Sequence, residues 1–213
     1  MDGLDGILFD MDGVLVNSIA SDERKWRDWA LAKDLDPDEV LRTVHGLPNR
    51  DIVPLLRPDL DAACEVALVE QYEIDHSHEV LAIPGSPEFV AQVPSGRWAV
   101  FTSAARPVAE ARLRAAGYGE VPVLVTPEDV SNGKPAPDGY LLAAQLLGLD
   151  IARCLVIEDS PTGVAAGRSA GARVLGLLTS HLRTALAEAD LWRDSLAGVE
   201  LLSQPDGRLR IEL

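Results

Sequence analysis

Apolar positions along this chain follow two different rhythms. Gly6-Ile7-Leu8-Phe9-Asp10 is a short unbroken apolar run closed by Asp12-Gly13, which predicts a strand buried on both faces and ending near Asp10. From Ser18 to about Leu81 the spacing turns helical: Trp26, Trp29, Ala30 and Lys33, then Val40, Leu41 and Val44, then Cys64 to Tyr72 recur at three and four residues. No strand is expected there, so the stretch reads as a small all-helical unit in which Trp26 and Trp29 supply packing. Ile83-Pro84-Gly85-Ser86-Pro87 breaks the pattern, and a new helix can start at Ser86 or Pro87.

Beyond that break, apolar runs alternate with amphipathic segments. Strands are predicted at Trp98–Thr102, Val121–Thr126, Cys154–Ile157 and Arg173–Leu178, and helices at Pro107–Ala116, Asp138–Leu147 and Thr162–Ala170. This alternation implies a parallel sheet covered on both faces. The strand at Ile7–Asp10 has no partner nearby in sequence and should join that sheet. The expected fold is therefore α/β, a Rossmann-like three-layer core of residues 1–16 and 85–213 with a helical cap of residues 17–84 inserted after the first strand. The tail from Ala185 is expected to add a helix and a hairpin around Asp206-Gly207.

Composition narrows the partners. Among 213 residues, 34 are acidic and 19 basic, a formal net charge of −15, which argues against nucleic acid and anionic membranes because both need clustered Lys and Arg. No apolar run approaches the roughly 20 residues of a membrane span. Two cysteines, Cys64 and Cys154, sit in no metal-binding or disulfide pattern. The chain is read as a soluble, cytoplasmic monomer or weak dimer.

Ligands of open parallel sheets bind at the carboxyl ends of strands, so those positions carry the candidate chemistry. Asp10 and Asp12 close the first strand, Thr102-Ser103 the second, Lys134 follows the third, and Glu158-Asp159 close the fourth. Four acids, a hydroxyl and a lysine at one sheet edge suit a hard cation together with a phosphate. An aspartate there can also attack phosphorus.

In order along the chain stand Asp10-Met11-Asp12-Gly13-Val14, Thr102, Gly133-Lys134-Pro135 and Ile157-Glu158-Asp159-Ser160-Pro161-Thr162-Gly163. This series resembles the haloacid dehalogenase superfamily of phosphatases. The resemblance implies Asp10 as nucleophile, Asp12 as general acid and base, and Mg²⁺ held by Asp10, the Asp12 main-chain carbonyl and Asp159, with Glu158 in support. Thr102, Ser103 and Lys134 would bind the phosphoryl group. The helical insertion matches the family's mobile cap, and its His45-Gly46-Leu47-Pro48-Asn49-Arg50 segment resembles the phosphatases of small sugar and polyol phosphates. His45, Asn49 and Arg50 are the candidate substrate readers. Two relatives' chemistries stay open, a β-phosphoglucomutase-like transfer and phosphoglycolate hydrolysis. Those mutases carry a His four residues before the cap tryptophan, where this chain has Asp22, which favours hydrolysis. Asn17 replaces an Asp common at the cap hinge.

Overall fold

The structure, a computed structural model, describes residues 1–44 and 48–212. Strand β1 (Gly6–Phe9) leads through the two-residue β2 (Val16–Asn17) into helices α1 (Ile19–Ala32), α2 (Pro37–Val44), α3 (Asn49–Leu56) and α4 (Ala62–Asp75). The chain returns through β3 (Leu81–Ala82) to α5 (Ser86–Val90), β4 (Trp98–Phe101), α6 (Arg106–Ala115), β5 (Leu124–Val125) and α7 (Asp138–Leu147). Then follow β6 (Cys154–Glu158), α8 (Pro161–Ala170), β7 (Arg173–Leu177), β8 (Leu191–Arg193), and the hairpin strands β9 (Glu200–Ser203) and β10 (Leu209–Glu212).

The main sheet has the order β5-β4-β1-β6-β7-β8, all pairs parallel. Every residue of β1, β4 and β6 is buried because helices cover both faces, which is why these strands read as unbroken apolar runs. Alternation decides which face each residue serves: Ile7 and Phe9 pack with Phe89 and Leu113 of α5 and α6, while Leu8 packs with Tyr140 and Val164 of α7 and α8. Strands added after β1 run first to one side and then to the other. The order therefore reverses at β1, and its carboxyl end opens where a parallel sheet binds ligands.

Helices α1 to α4 bury a core of their own, including Trp26, Trp29, Ile52 and Val69. The two tryptophans meet edge to face with centroids 5.6 Å apart, the packing role expected of them. Access to this unit runs through the antiparallel pair β2–β3, in which Val16 faces Ala82 and Asn17 faces Leu81. No strand was expected from Ser18 to about Leu81, and β3 corrects the end of that stretch, being too short to show a period. Asn17 also has a local duty, since its Oδ1 accepts the Ile19 N–H at 3.3 Å at the start of α1.

The tail departs from expectation more clearly. Its hairpin is present, but residues 183–188 form successive turns and no helix. The apolar spacing there is used for packing, with Leu186 and Ala189 buried against the α7–α8 face. Asp190 then fixes the path: its N–H donates to the Val174 carbonyl at 2.9 Å, and its Oδ2 accepts the Val174 N–H at 2.7 Å. That exchange starts β8 as the sixth strand, and tertiary pairing overrides the local helical pattern.

Candidate active site

Asp10 lies one residue past β1, where its N–H still donates to the Ile157 carbonyl at 3.0 Å. The carboxylate is thus delivered to the switch point by the sheet ladder itself. Lys134 arrives from the loop after β5, with Nζ 2.5 Å from Asp10 Oδ1 and 2.6 Å from Glu158 Oε1. The ammonium is walled by the rings of Phe101 and Tyr140, with centroids 5.0 and 5.5 Å away. Burial alone would lower its pKa, but the Asp10 and Glu158 carboxylates outweigh burial and hold it above the usual lysine value.

Glu158 is fully occupied. It accepts from Lys134, from the Tyr140 hydroxyl at 2.8 Å, from the N–H groups of Asp159 at 3.1 Å and Ser160 at 3.2 Å, and from Ser160 Oγ at 3.0 Å. Those bonds aim it at Lys134 and explain the glycine that follows, because a Cβ at Gly163 would overlap the Glu158 carboxylate. Asp159 accepts from the Ser180 hydroxyl and lies against Gly13, which has φ +79° and no room for a Cβ beside that carboxylate.

Asp10, Glu158 and Asp159 offer three oxygens within 4.8 Å of one another. Burial, and then the Glu158 charge, push the Asp159 carboxyl up to about 7, and the same two causes raise Asp10 against the opposing pull of Lys134. One lysine among three buried carboxylates leaves the cluster short of positive charge. Hard oxygen donors lacking a cation fit a divalent metal ion.

A pH-dependent outcome follows for the metal-free protein. Folded Asp159 holds its proton to about pH 7, whereas the unfolded carboxyl releases it near 4. The folded state therefore binds more protons across that interval, and its stability should fall as pH rises from about 4 to 7. Thermal melting with and without Mg²⁺ checks this: the metal's stabilising increment is expected to grow over the same interval, and a pH-independent increment would contradict it.

Thr102 is buried at the end of β4, where its Oγ1 accepts the Ala104 N–H at 3.0 Å, leaving the hydroxyl hydrogen available to an anion. Ser103 is exposed beside it and lines the same cleft. The cleft has a volume of about 680 Å³ and is bounded on the cap side by Asn49 and Arg50. Arg50 is exposed there, whereas the Asn49 amide is engaged at both ends, donating to Glu73 at 2.8 Å and accepting from Lys25 at 3.3 Å. His45 lies outside the described residues. Asp12 does not join the carboxylate cluster with its side chain, which meets Arg112 at 2.7 Å. Any share it takes in holding a metal falls to its backbone.

Several contributors carry no signal at strand ends. Ser180 follows β7 in a plain turn, Tyr140 sits inside α7, and Arg112, Lys25 and Glu73 are buried ions on helices. Only the tertiary packing, which seals α1, α4 and α6 together, exposes that role.

With this geometry in place, residues 4–171 match the model of the haloacid dehalogenase-like hydrolases. The chain belongs to this hydrolase family. It is 38% identical to hexitol phosphatase A of Escherichia coli (strain K12), over 97% of this chain and 98% of that protein. It is 29% identical to 2-deoxyglucose-6-phosphate phosphatase 1 of Saccharomyces cerevisiae, over 85% of this chain and 83% of that one. Among solved structures, CbbY from Rhodobacter sphaeroides in complex with phosphate superposes with a TM-score of 0.76 at 26% identity, covering 92% of this chain and 96% of that one. The α/β fold of this hydrolase, read from its strand and helix pattern, is thus the family's. Among the described residues of the hydrolase, no helix is long and apolar enough to cross a membrane.

Proposed function

We propose that this hydrolase cleaves phosphate monoesters of small sugars or polyols through an aspartyl-phosphate on Asp10, with Mg²⁺ as its metal. The observation that carries this reading is the Asp10–Lys134–Glu158–Asp159 cluster opening into a cleft beneath helices, in a chain closely similar to a hexitol phosphatase. Residues 17–84 form the cap and residues 1–16 and 85–213 the core. The protein works in the cytoplasm as a monomer or weak dimer, in keeping with two free cysteines.

Asp10 Oδ attacks phosphorus as the ester P–O bond breaks, and Asp12 gives its proton to the departing alkoxide. Asp12 then takes a proton from water, whose oxygen attacks the acyl phosphate and frees Asp10 and inorganic phosphate. Lys134, Thr102 and Ser103 hold the phosphoryl oxygens, and Lys134 offsets the charge spread over them. Asp10, Asp159 and the Asp12 carbonyl would hold Mg²⁺, which supplies further positive charge to those oxygens. Glu158 keeps Lys134 in place.

The remainder of the cleft supports a neutral leaving group. Among the described residues, Asp22, Glu23, Glu70, Glu73 and Glu128 also line it, against Lys25, Arg50 and Arg112 as cations besides Lys134. Lys25 and Arg112 are already paired with carboxylates. A second anionic group on the substrate would meet surplus negative charge. Phosphate release from a panel tests this: hexitol, 2-deoxyglucose and glycerol phosphates are expected to exceed phosphoglycolate in kcat/KM by about tenfold or more, the scale of one unfavourable charge contact. Equal or better turnover of phosphoglycolate would overturn the leaving-group reading. No phosphate from any ester with Mg²⁺ present would overturn the function.

Asp22 also supports hydrolysis over transfer. Burial opposes its charge, but Arg112 at 2.7 Å and Lys25 at 3.1 Å hold its carboxyl down at about 2. It is a fixed anion in an ion network. An isomeric sugar phosphate formed without free phosphate would reverse this assignment.

A further inference from the structure

We infer that Arg112 is a positioning residue that makes proton donation by Asp12 depend on the seating of the helical cap. The inference rests on the proposed role of Asp12 and on one shared guanidinium. Arg112 projects from α6 of the core and is buried. Its Nη1 donates to Asp12 Oδ1 at 2.7 Å, and its Nη2 donates to Asp22 Oδ1 of α1 at 2.7 Å and to Glu73 Oε1 of α4 at 2.8 Å. One planar group thus ties the loop after β1 to two cap helices. Its Nε is buried with no hydrogen-bond partner among the described residues, so three carboxylates supply all its compensation.

The cap side is itself braced. Lys25 donates to Glu73 at 2.6 Å and to Asp22 at 3.1 Å, and Asn49 donates to the other Glu73 oxygen at 2.8 Å. With the cap seated, Asp22 and Glu73 anchor one side of the guanidinium and Asp12 meets the other, so the plane of Arg112 is fixed. With the cap displaced, Asp22 and Glu73 leave with α1 and α4, and Asp12 remains as its one partner of the three. The guanidinium can then swing on its stem, and the Asp12 carboxyl loses a fixed direction. Seating the cap restores that direction, so the proton moves from Asp12 to the ester oxygen only over an enclosed substrate. Arg112 touches neither the phosphoryl group nor the attacking oxygen, and its effect passes through Asp12.

A leaving-group comparison separates this from a merely structural tie. Phenyl and 4-nitrophenyl phosphate are near in shape, but the phenolate needs a proton as it departs and the nitrophenolate hardly does. The reading is kcat/KM, which ends at transfer to Asp10. Arg112→Met is expected to lose about 100-fold on phenyl phosphate, the scale of a general acid, and no more than about threefold on 4-nitrophenyl phosphate. Arg112→Lys should restore part of the difference. Glu73→Gln, which leaves the Arg112–Asp12 pair intact, should show a smaller loss biased the same way. Equal losses on the two esters would overturn the inference, as would a Glu73→Gln enzyme with unchanged selectivity between them. Should Arg112→Met fail to fold on thermal melting, Arg112→Lys and Glu73→Gln decide by the same criterion. Asp12→Asn is the control: if it does not discriminate between the esters, the proton-donor role of Asp12 has failed and the inference falls with it, whereas discrimination there without any in the Arg112 variants refutes Arg112 alone.

Discussion

Asp10→Asn is expected to lower kcat by about 10⁴-fold or more while leaving the fold intact, because it removes the attacking oxygen from a machinery whose parts act as a unit. The stability effect should run the other way. Burial and the Glu158 charge already raise the Asp10 carboxyl above its ordinary range in the metal-free protein, so the ionised form is disfavoured by the folded state at neutral pH. A neutral amide of the same shape removes that penalty. Lys134 keeps Glu158 at 2.6 Å as a partner. Melting of the metal-free proteins at pH 7 to 8 should therefore place the variant level with or above the parent. Mg²⁺ should stabilise the variant less, since one of its donors has lost its charge. Residual steady turnover within about tenfold of the parent would remove Asp10 from the nucleophile's place.

Lys134→Met is expected to cost both activity and stability. Its ammonium is the common partner of two buried carboxylates, and breaking a buried ion pair from one side costs about 3–5 kcal/mol because the other charge stays behind unpaired. Here two buried carboxylates, Asp10 and Glu158, lose that partner at once. The loss should deepen as pH rises, since Asp10 and Asp159 ionise more fully, and Mg²⁺ should recover part of it. Adding Glu158→Gln to the same chain should return much of the stability but none of the activity. Chemical denaturation of the single and double variants, set beside their phosphate release, checks the two halves separately. A single variant as stable as the parent at pH 8 without metal would mean that the lysine is not what holds these carboxylates.

The residues that carry these predictions were legible because strand ends are. An apolar run that stops at a carboxylate marks the point where a buried chain reaches the ligand edge, and Asp10, Thr102 and Glu158 all follow such runs. Lys134 needed its motif, since a lysine in a proline-rich loop has no periodic context. The cap helices and their tryptophans were visible as spacing. Arg112 was not: it sits between Ala111 and Leu113 on an amphipathic helix that also carries Arg106 and Arg114, where most such charges face water. Its burial comes from α4 and from the segment after it crossing α6, a contact between distant stretches that no local pattern encodes. Asn49 was legible as a cleft residue, but its engagement with Glu73 and Lys25 was not, for the same reason. The tail failed differently. Leu186 and Ala189 have helical spacing, yet one aspartate, Asp190, exchanges two bonds with Val174 and commits the chain to an added strand.

The short pair of Val16-Asn17 with Leu81-Ala82 brings the two ends of the helical insertion side by side, about 5 Å apart between facing backbones. A segment that departs and returns through one doorway imposes no length on what lies between. The sheet that carries Asp10 and Lys134 neither gains nor loses a strand whatever is inserted there. Chemistry and selectivity are in this sense separately inherited: a lineage can remodel, enlarge or exchange the roof above the cleft and meet a new alcohol, while the phosphoryl-transfer edge beneath it is passed on unaltered.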